Sequence, residues 1–163
     1  AVVTDLMIRD AASLPDQAPD PGQPVNVVPQ DQITAVASSE HVGYEASKAI
    51  DGNLNTMWHS EWDPPDPMPL EITLDLGKSY DVTGLTYQTR TDFKPDGLIR
   101  DYNIYVSIDG TDFEKVASGV WEVDYALKTI QFNARNVRYI RLEALSGSGG
   151  VAAAAEINIM YKE

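Results

Sequence analysis

The sequence predicts an all-β chain, an antiparallel sandwich or barrel, and three observations carry that prediction. Beyond residue 31, apolar and polar residues alternate in run after run; turn signals such as Gly77 and Asp109-Gly110 separate the runs; and only Tyr44–Ile50 has helical spacing, two turns at most. A period of two places every second side chain on one face, as a half-buried strand requires, and short strands divided by turns are the pattern of antiparallel architectures.

Residues 1–30 stand apart. They hold Pro15, Pro19, Pro21, Pro24 and Pro29 and no aromatic residue. Proline fixes φ and has no N–H, so Pro15–Pro29 is expected to be extended and unable to join a sheet. Val2 to Ile8 is apolar enough for a short strand stub. The domain division is therefore a linker with that stub over 1–30 and one sandwich over 31–163.

The strands of the sandwich follow in order. Ile72, Leu74 and Leu76 alternate with Glu71, Thr73 and Asp75 until Gly77 stops the run. Val82–Thr89 is a further strand, weakened by Gly84. Tyr102, Ile104, Val106 and Ile108 alternate with Asn103, Tyr105 and Ser107. Ile130 and Phe132, then Ile140, Leu142 and Ala144, then Ile157 and Ile159 repeat the pattern.

Composition narrows function. The 163 residues carry 25 acidic against 12 basic side chains, a net charge of −13, and no cysteine. Disulfide scaffolds, zinc fingers, iron–sulfur centres and thiol nucleophiles are excluded. The acidic balance argues against nucleic acid and against anionic membranes, both of which need clustered Lys and Arg. No run approaches the roughly 18 apolar residues of a membrane span. A chain that opens at Ala1 is expected to be a processed product or a piece of something larger.

Two segments carry chemistry. Lys48-Ala49-Ile50-Asp51-Gly52-Asn53-Leu54-Asn55-Thr56 gathers a carboxylate, a hydroxyl, two amides and several turn carbonyls. Such hard oxygens suit Ca²⁺, but the same residues also make a plain Asp-Gly-Asn turn. Trp58-His59-Ser60-Glu61-Trp62-Asp63-Pro64-Pro65-Asp66-Pro67-Met68-Pro69 is stiffened by four prolines. Trp58 is expected in the core. Trp62, with His59, would offer a sugar an apolar platform and directional polar atoms. Arg90 ends a strand and either forks toward a ligand or pairs with Asp92, Asp96 or Asp101. Catalysis is not expected. His41 and His59 are the two histidines, the run His59-Ser60-Glu61 places neighbours that do not face one another, and no nucleophile-elbow, zincin or phosphate-loop motif is present.

Five separated motifs then resemble one family. They are Ala46–Trp58 (Ala-x-x-Ala-Ile-Asp-Gly-Asn-x-x-Thr-x-Trp), Ile72–Gly77, Gly97–Gly110, Arg138-Tyr139-Ile140-Arg141-Leu142 and Ala155-Glu156-Ile157. In this order they resemble the discoidin-like, or coagulation factor V/VIII C-type, domain, and most of all the bacterial carbohydrate-binding modules of family 32. The resemblance implies an eight-stranded jelly-roll β-sandwich of the galactose-binding-domain-like kind. It implies a structural Ca²⁺ held by the carbonyls of Lys48, Asn53 and Ala155, by Asp51 and Thr56, and by Glu156. It implies galactose or N-acetylgalactosamine bound by His59, Trp62 and Arg90, with Asp96 where an Asn is usual. It further implies a secreted or cell-surface, monomeric, non-catalytic module joined to a glycoside hydrolase or polysaccharide lyase. Uronate ends, or a protein or lipid surface, are the alternative ligands.

Overall fold

The computed structural model describes residues 26–163, so the expected stub at Val2–Ile8 and the prolines up to Pro24 lie outside the described residues. The strands are β1 (Asn26–Val27), β2 (Thr34–Ala37), β3 (Trp58–His59), β4 (Leu70–Gln88), β5 (Asp101–Ser107), β6 (Glu114–Val120), β7 (Lys128–Ala144), β8 (Ala153–Ala154) and β9 (Glu156–Lys162). All pairings between them are antiparallel.

Strand β4 shows how the sandwich is made. Its run does not stop at Gly77 as expected; it bends and continues to Gln88. Gly77 takes φ +86°, its N–H donates to Asp75 Oδ1 at 2.9 Å, and a Cβ there would lie 2.9 Å from the Gln32 carbonyl oxygen. Glycine alone takes that conformation at that distance without strain. Strand β7 runs antiparallel to β4 along its whole length, with register shifts between Asp75 and Gly84. The first half of β4 and the second half of β7 join β2, β5 and β6; the other halves join β9 and β1. Each long strand thus contributes to both layers, and the inward residues of both layers form one core. Ile72, Leu74, Leu76, Leu85, Tyr87, Ile104, Phe132, Ile140, Ile157 and Ile159 belong to it, with Trp58 wholly buried as expected.

Two further expectations are corrected. Asn26 and Val27 pair with Tyr161 and Met160, and Val28 is fully buried and donates to the Ile159 carbonyl. Residues 26–28 therefore do join the sheet; proline lacks its own N–H but does not remove those of the residues beside it. Ile108 is exposed, because Ser107 and Asp109 take the amides of Gly110, Thr111 and Asp112 and pull the chain out of the ladder. The segment with helical spacing does form a short helix, the 3₁₀ turn Ala46–Ala49, within the two turns expected.

Candidate functional site

Strands β3 and β8 form a two-stranded ribbon, Trp58 opposite Ala154 and His59 opposite Ala153. The ribbon carries the Pro-rich loop past the end of the sandwich where β4 finishes and β9 begins. Trp58 Nε1 donates to the Ser39 carbonyl at 2.9 Å, and the His59 backbone is bonded to both His41 and Tyr44. As a result His59 and Trp62 from one segment, and Arg90 and Asp96 from another, line one open cleft of roughly 510 Å³, together with Tyr44, Lys94 and Val151.

His59 is 5% exposed, and its Nδ1 lies 2.7 Å from the Ser60 carbonyl oxygen. That contact assigns the proton to Nδ1 and leaves Nε2 as an acceptor. Burial holds the ring below the ordinary histidine range; the Ser60 carbonyl opposes this and the Arg90 cation adds to it. The ring is neutral at pH 7.

Arg90 is 7% exposed. Its Nε and Nη2 grip the two oxygens of Asp92 at 2.7 and 3.0 Å, and Nη1 donates to the Asp96 carbonyl at 2.7 Å. Of the two sequence readings, the ion pair is real and Asp92 is its partner. Three of the five guanidinium N–H groups are engaged, which leaves two donors. The fork draws the Asp92 carboxyl down to about 2. Asp96 meets Arg90 through its carbonyl, not its side chain. Its carboxylate finds no hydrogen-bond partner among the described residues and lies against Gly149, where a Cβ would sit 2.5 Å from Asp96 Cγ.

Trp62 is 39% exposed and is neither free nor buried. One face stacks on His41, centroids 3.7 Å apart at 19°, and the rings of His59 and Tyr44 stand steeply to it at 4.6 and 5.3 Å. Glu61 organises this cluster. Its Oε2 takes His41 Nδ1 at 2.6 Å and the amides of Trp62 and Asp63. His41, Tyr44 and Glu61 are site residues that the sequence does not single out. The Tyr44 backbone bond to His59 could be foreseen from no spacing, since it joins two loops.

Part of the expected cation set is brought together: Asp51, Asn53 and Thr56 in one turn, with Glu156 beside Asp51. The Thr56 hydroxyl bonds Asp51 and the Asn53 carbonyl, and Asn53 N–H donates to Asp51 Oδ1 at 3.0 Å. Glu156 opens β9, 6% exposed, and its Oε2 is buried without a partner. Burial, and then the neighbouring Asp51, push its carboxyl up to about 7. No Lys or Arg among the described residues forms an ion pair with either carboxylate. An orphaned buried oxygen beside a second carboxylate, in an all-oxygen donor set, fits a hard cation such as Ca²⁺. The turn is tied to the cleft: the Thr91 hydroxyl, next to Arg90, donates to the Leu54 carbonyl at 2.6 Å.

Residues 32–157 match the model of the F5/8 type C domain. The chain belongs to this family. Among solved structures, this F5/8 type C domain is similar to a family 32 carbohydrate-binding module of a Clostridium perfringens family 89 glycoside hydrolase, solved with GalNAc-β-1,3-galactose. The two share 41% identity and a TM-score of 0.79, over 82% of this chain and 99% of the other. It is similar also to the family 32 module of NanJ from the same organism, solved with galactose, at 36% identity, TM-score 0.78, and 83% and 98% coverage. A curated relative is a sialidase of Micromonospora viridifaciens, 43% identical over 70% of this chain. Another is the A type blood N-acetyl-α-D-galactosamine deacetylase of Flavonifractor plautii, 34% identical over 83%. The domain spans only 18% of the length of each. The expected sandwich and family assignment are thereby borne out.

Proposed function

We propose that this F5/8 type C domain is a non-catalytic carbohydrate-binding module for galactose- or N-acetylgalactosamine-terminated glycans. The observation that carries the reading is the convergence of His59, Trp62, Arg90 and Asp96 on one cleft. A sugar hydroxyl both donates and accepts. Arg90 has two free donors and His59 offers a neutral Nε2 acceptor, so the pair answers both halves of one hydroxyl. Trp62, steadied by His41, supplies apolar area for a ring C–H face. The unpartnered Asp96 carboxylate accepts from a further hydroxyl.

In this reading the module is secreted and monomeric and holds a covalently attached glycoside hydrolase or polysaccharide lyase on its substrate. Ca²⁺, held by Asp51, Thr56, Glu156 and the carbonyls of Lys48, Asn53 and Ala155, fastens the start of the domain to its last strand and takes no part in sugar contact. Uronate ends fit less well: Arg90 is already neutralised by Asp92, and Asp96 repels a carboxylate.

A shallow cleft of this type binds on the order of 0.1–1 mM. Calorimetry and ¹H–¹⁵N titration with galactose, N-acetylgalactosamine, glucose and glucuronate test it. Binding of the first two, abolished by Trp62→Ala, is expected. No response of the His59 or Trp62 signals to any of the four sugars refutes the reading.

A further inference from the structure

The loop that follows Arg90 carries an aromatic ring that a single terminal sugar leaves unused. Phe93 is 72% exposed and adopts φ +61°. A bulky residue in the left-handed region is an outlier, held only where its surroundings impose it. Here they do. Asp92 Oδ1, already gripped by Arg90, takes the Lys94 N–H at 3.2 Å. The Tyr125 hydroxyl, from the loop between β6 and β7, lies 3.0 Å from both the Phe93 and the Lys94 carbonyl oxygens and shares its proton between them. The Tyr125 ring meets the Phe93 ring edge-on at 5.1 Å and 73°. Two loops are thus locked together beneath a ring that is left mostly open to solvent.

The position matters as much as the bracing. Phe93 sits between Asp92, which holds Arg90, and Lys94, which lines the cleft. Three residues of chain keep its Cα within about 11 Å of that of Arg90. A flat, rigid, apolar ring at that distance from a hydroxyl-binding pair suits the next residue of the same glycan. The charges around it are mixed, Asp92 tied to Arg90 and Lys94 lining the cleft with Asp96, so a single open ring favours a neutral sugar over a protein surface or an anionic ligand.

We propose that Phe93, braced by Tyr125, forms a second subsite that stacks on the penultimate sugar of a neutral oligosaccharide whose terminal residue occupies the cleft. The subsite rests on the function proposed above. Longer glycans then bind more tightly than the monosaccharide, and the excess resides in Phe93.

The test is calorimetry of the wild type, Phe93→Ala and Phe93→Trp with N-acetylgalactosamine, galactose, and their β-1,3- and β-1,4-linked disaccharides. The wild type is expected to prefer at least one disaccharide over its terminal monosaccharide by about three- to tenfold, the gain typical of one aromatic contact. Phe93→Ala removes that preference and leaves monosaccharide affinity unchanged, and Phe93→Trp restores it. Equal disaccharide and monosaccharide affinities in the wild type, or a preference that survives Phe93→Ala, overturn the subsite while leaving the terminal-sugar site standing. Absence of monosaccharide binding by the wild type overturns the function beneath it instead.

Discussion

Replacing Asp92 by asparagine separates the clamp on Arg90 from the ligand contacts, because in the proposed site Asp92 grips the guanidinium and leaves the sugar to Arg90. The fork lowers the Asp92 carboxyl from 3.8 to about 2. At 1.36 kcal/mol per unit, that displacement corresponds to a ceiling of about 2.5 kcal/mol. The Asp92 side chain is 39% exposed, however, and solvent screening reduces the figure to about 1 kcal/mol. Asp92→Asn is therefore expected to lower unfolding free energy by about 1 kcal/mol in urea titrations. An asparagine accepts through one oxygen, so Arg90 keeps its bond to the Asp96 carbonyl and loses the two-point grip. Re-immobilising a long side chain on binding costs about 0.5–1.5 kcal/mol. Galactose affinity should fall about three- to tenfold by calorimetry, with the same hydroxyl preferences across a sugar panel. Unchanged affinity in a folded Asp92→Asn protein would falsify the claim that this ion pair preorganises the site.

Three further outcomes follow from the geometry. Calcium should raise the melting temperature of the wild type reversibly, as EGTA would show. Glu156→Gln should lose that response without losing calcium-free stability, since it removes a buried charge; a calcium response that persists in the variant removes Glu156 from the ligand set. His59 should titrate with an NMR midpoint below 6.5, because its folded value is lowered: the stability it contributes is present above pH 6.5 and lost as pH falls through that midpoint. Sugar affinity should be flat from pH 7 to 8, and a midpoint above 6.5 contradicts the buried, Nδ1-protonated ring. Gly97→Ala should cost about 1–3 kcal/mol, since its φ is +93° and the new methyl would stand 2.8 Å from Ala153 Cβ; an unaltered urea midpoint argues against that contact.

The alternation at Ile72–Leu76, Tyr102–Val106 and Ile140–Ala144 made the strands legible, because one face of each is buried and the period repeats. The continuation of β4 through Gly77 was not legible, since a glycine that ends a strand and one that bends it read alike. Asn26–Val28 were obscured by the prolines around them, although three free N–H groups suffice for an edge. At the site, the residues that touch a ligand in the proposed reading could be found by motif. The residues that hold them could not. His41 stacks on Trp62 from 21 positions away, and Tyr125 braces Phe93 across 32. Such supports depend on which loops the fold brings together, and a linear pattern carries no trace of that. Asp92 was named as a partner for Arg90 because it lies two residues off, within reach whatever the fold.

The pairing of β1 with β9 has a consequence for orientation. Asn26 enters the sheet opposite Tyr161, so the chain arrives at and departs from neighbouring points on one pole. The cleft lies at the other pole, where Gln88 meets Glu156 and the ribbon of β3 and β8 begins. The seven residues of β9 separate the two by about 20 Å. Asn26 and Glu163, the ends of the described residues, therefore lie toward the pole that faces away from the cleft. In the proposed reading, a glycan can therefore enter the cleft without either end of the described residues crossing its mouth.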